Sequence, residues 1–194
     1  MDECCEIRPV HTRQRRVLVA VLAINVAMFL AELAGGLIAH STALLADSAD
    51  MLGDAIVYGV SLYVIGRAPI WGSRAALLKG FIMVGFALGI SIEVVLKLAR
   101  GVTPDAEIMW ALAVAALVAN GSVLVLLSRH RADDINMRSA WICSRNDVIA
   151  NAGVLVAALW VGLSGSGYPD ILIGLGIAAL FASSSLRVIR EALA

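Results

Sequence analysis

The chain has 194 residues, 60% of them apolar and 15% charged, with a formal net charge of zero. Soluble domains run at about 45–50% apolar and about 25% charged, so the balance points to a membrane class. With no global basic field and no basic run with interleaved aromatics, the sequence gives no basis for a nucleic-acid partner.

Residues 1–16 form a polar tail holding Cys4 and Cys5 among Asp2, Glu3 and Glu6. The third cysteine, Cys143, sits in an apolar stretch. Two adjacent cysteines and a distant one make neither a disulfide framework nor a CxxC zinc motif, and they suit a reducing compartment. The first apolar run, Val17 to Ala39, follows Arg13, Arg15 and Arg16 but is too long for a signal-peptide core. We read it as a retained helix.

A membrane span needs about 20 mostly apolar residues. Six segments meet that length: 17–39, 43–65, 76–98, 107–127, 140–162 and 169–188. The expected fold is all-α, a six-helix bundle over residues 17–191 with no cytoplasmic domain after it. The connectors fall at His40 to Thr42, Arg67 to Arg74, Gly101 to Asp105, Arg129 to Arg138 and Ser164 to Pro169. With the N-terminus inside, twelve of the fifteen Lys and Arg residues are cytoplasmic. Lys97 and Arg100 fall outside, and Arg145 lies within a helix. The positive-inside rule therefore places both termini in the cytoplasm of a multi-pass protein of the cell's inner membrane.

Ionisable groups within spans cost at least about 2.5–3.5 kcal/mol each, so they are read as functional. Those here are Glu32, Asp47, Asp50, Asp54, Glu93, Cys143, Arg145 and Asp147. In the second helix Asp50 and Asp54 are four apart and share a face, with Asp47 one turn outward. In the fifth, Cys143 and Asp147 repeat the spacing. The helices run in opposite directions, so the pairs give four ligands in two layers. Three oxygens and a sulfur suit a tetrahedral Zn²⁺-type site, and the thiolate favours softer ions such as Cd²⁺. By these boundaries Cys143 lies only about one turn into its span while Asp54 lies about halfway. Fully ionised, the four ligands outweigh a divalent ion, so the empty site holds protons and metal binding releases them. Alternating exposure of such a site gives metal–proton antiport.

The other residues have blander readings. Asp47 caps or pairs with Arg145 or a neighbouring helix, with an accessory ligand role as the alternative. Arg145 neutralises Asp47 or Glu32, or snorkels to the cytoplasm. Asn25 and Glu32 share a broad side of the first helix as interhelical glue, and Glu93 reaches the headgroups. Cys4 and Cys5 either capture a soft ion as an accessory site or belong to an incidental tail.

The stretch STALLADSADMLGD, Ser41 to Asp54, resembles the second helix of the cation diffusion facilitator transporters. That pattern is Ser-Leu-Ala-Leu-Leu-Ala-Asp, then His or Asp, three residues and Asp. Met137 to Ala157 is similar to the family's fifth helix with its His-x-x-x-Asp, and Ser73 to Lys79 to its cytoplasmic Gly-x-x-Arg segment. Glu93 with Pro104 looks like the end of its third helix, and Asp170 like the start of its sixth. The resemblance covers about residues 17–191 and implies heavy-metal efflux by proton antiport, in a homodimer, without a resident cofactor. It also implies the same four ligands, Asp50, Asp54, Cys143 and Asp147, with Cys143 where the family usually has His. It further implies a short form, without the usual cytoplasmic domain.

Rival classes fit less well. An intramembrane aspartyl protease would pair Asp54 with Asp147 as a proton-sharing dyad, yet Leu52-Gly53-Asp54 lacks Gly-x-Gly-Asp. A phosphatidyl alcohol transferase would need an upstream Asp-Gly-x-x-Ala-Arg. A metal-sensing membrane subunit without transport remains the non-enzyme alternative.

Overall fold

A computed structural model describes residues 15–63, 70–129 and 135–193. All six elements are helices: α1 Arg15–Ala39, α2 Thr42–Tyr63, α3 Ile70–Arg100, α4 Ala106–Ser128, α5 Ile135–Ser164 and α6 Tyr168–Leu193. The all-α expectation holds. Among the described residues four stretches are long and apolar enough to span a bilayer: α1, residues 81–100 of α3, α4, and residues 140–164 of α5. In α2 the apolar run is interrupted by Asp47, Asp50 and Asp54.

Three boundaries differ most from the sequence reading, one of them the end of α6, at Leu193 rather than 188. α3 starts at Ile70 rather than 76, and α5 at Ile135 rather than 140, so residues 70–74 and 135–138 are helix and not connector. The apolar run marks where lipid begins, whereas backbone hydrogen bonding carries a helix on past that point. The early start puts Cys143 about two turns into α5, which reduces the depth mismatch with Asp54.

The turns are tight and all of those described lie at one end of the bundle. His40 takes a positive φ of 51° between α1 and α2, and Ser41 N–H donates to the Gly36 carbonyl at 2.9 Å. Gly101 and Gly165, each at φ 64°, close α3 and α5 in the left-handed conformation that glycine adopts without strain. Asp105 caps α4 by accepting from Glu107 N–H and Ile108 N–H, and its own N–H donates to the Ala39 carbonyl at 2.9 Å.

α2 is the hub. It packs against α1, α3, α5 and α6, while α4 packs on α1 and α5. Among the described residues α1 and α3 to α6 each expose several large apolar side chains, such as Leu37, Leu88, Val118, Val156 and Leu172, but α2 exposes only Tyr63 at its end. That is the pattern of a lipid-facing ring around one interior helix. The interior is built mainly from small side chains: Ala39, Ala43, Ala46, Ala49, Ala113, Ala157 and Ala158 pack around Leu44 and Met109. A second cluster of Leu18, Val21, Tyr58, Val123, Leu127 and Ala140 fills the other end.

An ionic lock ties the turn end together. Asp170, at the start of α6, accepts from Thr42 N–H at 2.8 Å, Ala43 N–H at 3.0 Å and the Ser41 hydroxyl at 2.6 Å. A residue of α6 thus caps the N-terminus of α2, where a carboxylate is favoured by the helix dipole. Lys97 of α3 donates to the same Asp170 at 2.5 Å and to the His40 carbonyl at 2.5 Å. Thr42 donates to Glu93 at 2.7 Å, so Glu93 is bound inside the lock rather than reaching headgroups. Lys97 and Asp170 are almost fully buried. Removing one partner strands the other charge, so Asp170→Ala should lower stability by about 3–5 kcal/mol, read by thermal melting in detergent.

α6 approaches α2 so closely that a Cβ on Gly174 would lie 2.7 Å from the Thr42 carbonyl carbon and 2.8 Å from its oxygen. Backbone cannot give way as a side chain can. Gly174→Val should therefore lower the melting temperature, with a cost of at least about 1–3 kcal/mol. Gly176→Val, at a position with nothing within 4 Å, should melt close to the parent.

Candidate metal centre

Four-residue spacing builds two polar stripes inside the apolar bundle. On α2 the stripe runs Asp47, Asp50, Asp54 and Tyr58; on α5 it runs Cys143, Asp147 and Asn151, with Ser144 beside it. Asp47, Asp54, Cys143, Ser144, Asp147 and Asn151 are buried, and Asp50 is partly buried. α2 packs directly on α5.

One contact fixes the register of the two helices. The Asn151 amide donates to both Asp47 oxygens, at 3.0 and 3.2 Å. Because the helices are antiparallel, a turn away from that bond on each brings Asp50 level with Asp147. A second turn brings Asp54 level with Cys143. Asp54 is oriented from its own helix, accepting from the Tyr58 hydroxyl at 3.1 Å. Behind α5, Asn120 of α4 donates to the Asn151 carbonyl oxygen at 3.3 Å and to the Met51 sulfur at 3.7 Å, and the Ser144 hydroxyl donates to the Asn120 carbonyl.

The stripes face each other without closing into a cage. Among the described residues no three His, Cys, Asp or Glu side chains converge as a metal-holding group. Cys143 is disulfide-bonded, where the sequence reading expects no disulfide framework. A disulfide sulfur is not a thiolate, so Cys143 becomes a ligand only when reduced. Cys4 and Cys5 lie outside the described residues.

Arg145 is exposed and stacks over the Trp141 ring, 5.6 Å from its centroid. The group that answers Asp47 is Asn151, not Arg145. Tyr58, Asn120 and Asn151 were absent from the sequence reading. Tyr58 and Asn151 carried a usable signal, since each sits four residues beyond a stripe carboxylate.

The cation efflux transmembrane domain family matches residues 18–194. This chain belongs to that family. It is 27% identical over 195 residues to the metal cation efflux system protein CzcD of Cupriavidus metallidurans, covering 91% of this chain and 62% of that protein. It is 27% identical over 197 residues to the zinc transporter ZitB of Escherichia coli, covering 94% and 62%. A cadmium, cobalt and zinc/H(+)-K(+) antiporter of Bacillus subtilis is 23% identical over 193 residues, covering 92% and 62%. The chain thus spans about three fifths of the length of the curated relatives it matches. Family and spanning helices together make it a multi-pass membrane protein.

The register bond yields a prediction. Asn151→Leu removes the donor to a buried carboxylate and should cost about 1–2 kcal/mol, seen as a lower melting temperature in detergent.

Proposed function

We propose that the chain carries a soft divalent metal ion, Zn²⁺ or Cd²⁺, out of the cytoplasm in exchange for protons. What supports this reading is the pair of polar stripes on two packed helices, Asp50 and Asp54 on α2 and Cys143 and Asp147 on α5, together with the Asn151–Asp47 hydrogen bond between those helices. The relatives CzcD, a metal cation efflux system protein, and ZitB, a zinc transporter, support the cargo. The H(+) in the name of the Bacillus subtilis antiporter supports the coupling.

Three carboxylates and one thiolate form the donor set. Oxygen donors accept Zn²⁺, and the thiolate of reduced Cys143 shifts preference toward Cd²⁺ and away from Mg²⁺ or Ca²⁺. The four donors must draw together around the ion, so α2 and α5 close when cargo binds and separate when it leaves. Metal competes with protons for these groups, and each binding event displaces protons. Tyr58 orients Asp54 as a second layer of the site. By charge placement the termini face the cytoplasm and the ionic lock around Asp170 lies outside. The cell's inner membrane and a homodimeric assembly complete the reading.

The test is uptake of a metal panel into proteoliposomes holding a pH-sensitive dye, under reducing conditions. Metal entry should move protons the other way. Asp54→Ala should abolish both fluxes, and Tyr58→Phe should weaken metal binding about tenfold. Cys143→His should keep transport and turn selectivity from Cd²⁺ toward Zn²⁺. Unchanged selectivity in that variant removes Cys143 from the ligand set. Metal binding without any flux would favour the sensing subunit.

A further inference from the structure

Along α3 runs a groove of about 440 Å³. Gly85 and Gly89 line it, and nothing lies within 4 Å of the point where either would carry a Cβ. Both glycines are exposed, and their neighbours Leu88 and Ile92 belong to the lipid-facing ring, so the groove opens to the bilayer. Leu45 of α2 lines it too, as do Ile82 and Phe86. The Phe86 ring meets Phe29 of α1 edge-on, with centroids 6.5 Å apart, which braces that wall. From Ile82 to Glu93, both in the lining, the helix rises about 16 Å. Half of a bilayer's hydrocarbon core is about 15 Å thick. The groove thus has the length and the apolar lining that suit one acyl chain of one leaflet.

A charge stands at the turn end of the groove. Glu93 Oε2 accepts from the Thr42 hydroxyl, but among the described residues Oε1 accepts no hydrogen bond. Lys97, one turn on, is committed to Asp170 and the His40 carbonyl. Arg100 is exposed and makes no ion pair with a described residue. In formal charge Lys97 cancels Asp170, and Glu93 is left negative at the edge of an apolar groove. Such a carboxylate draws a cationic donor from whatever lies alongside.

We propose that this groove binds a bilayer phospholipid with a primary-amine headgroup, one acyl chain lying over Gly85 and Gly89 and the ammonium donating to Glu93 Oε1. Glu93 stays in the lock through Oε2, and the headgroup reaches down to it. Arg100, seven residues on and on the same face of α3, supplies a cation for the lipid phosphate. A helix from a second copy suits the groove less well. Gly85, Gly89 and Glu93 repeat at four-residue spacing. Two copies crossing on the glycines about a two-fold axis would bring their Glu93 carboxylates together with no cation between them. A lipid ammonium brings the opposite charge. The assignment needs α3 to face lipid and does not depend on the transport reading.

Native mass spectrometry of the full chain in detergent tests it, with dioleoyl phosphatidylethanolamine or dioleoyl phosphatidylglycerol added. The parent should hold the ethanolamine lipid at least about tenfold more tightly, the worth of one charged hydrogen bond. Glu93→Gln keeps an acceptor for Thr42 and should erase that preference. Gly85→Leu and Gly89→Leu fill the groove and should each abolish retention of both lipids. Both variants should melt close to the parent in lipid-free detergent, since each position has open space above it. Equal retention of the two lipids by the parent overturns the proposal. So does a preference unchanged in Glu93→Gln, or retention unchanged in both glycine variants. Loss of a dimer mass in the glycine variants, with lipid retention intact, would give the groove to a second copy and overturn it as well.

Discussion

A carboxylate inside a bilayer has to be answered by a donor, a proton or a cation, because neither lipid nor an apolar core can solvate it. That constraint organises the bundle. Asp170 is answered by Lys97 and by the backbone N–H groups that open α2. Asp47 is answered by the Asn151 amide and Asp54 by the Tyr58 hydroxyl. Each answer comes from a specific direction, so the acids also set how the helices sit. The lock fixes α2, α3 and α6 at the turn end, and Asp47 with Asn151 fixes α2 against α5.

The outcome is a division of labour along α2. Its N-terminal turn is tied into the lock and its middle faces α5 with acids in successive turns. Gly174 lets α6 press on its start, and the alanines around Leu44 let the other helices approach closely. A site for a transported ion needs groups that are organised yet not permanently satisfied. The lock does not fit that description, because its charges are already paired at short range.

Much of this was legible in the sequence. The spans follow from runs of apolar residues, and the Asp50/Asp54 and Cys143/Asp147 pairs follow from four-residue spacing, which is local. The helix starts at Ile70 and Ile135 were not legible, since hydropathy reports lipid contact and not backbone hydrogen bonding. Nor was the lock: Ser41 and Asp170 are 129 residues apart, and nothing local to either names the other. Glu32 could be flagged as a costly buried acid, but only the packed bundle shows that both its oxygens lack a hydrogen-bond partner among the described residues.

The central claim is that oxygen donors from α2 and one sulfur from α5 meet on a single ion. X-ray absorption at the cadmium edge of the reduced, Cd²⁺-loaded protein reads that shell directly. The account predicts one sulfur neighbour among oxygens, with the sulfur lost in Cys143→Ser and the oxygens kept. A shell without sulfur in the parent, or one unchanged by that substitution, would contradict it.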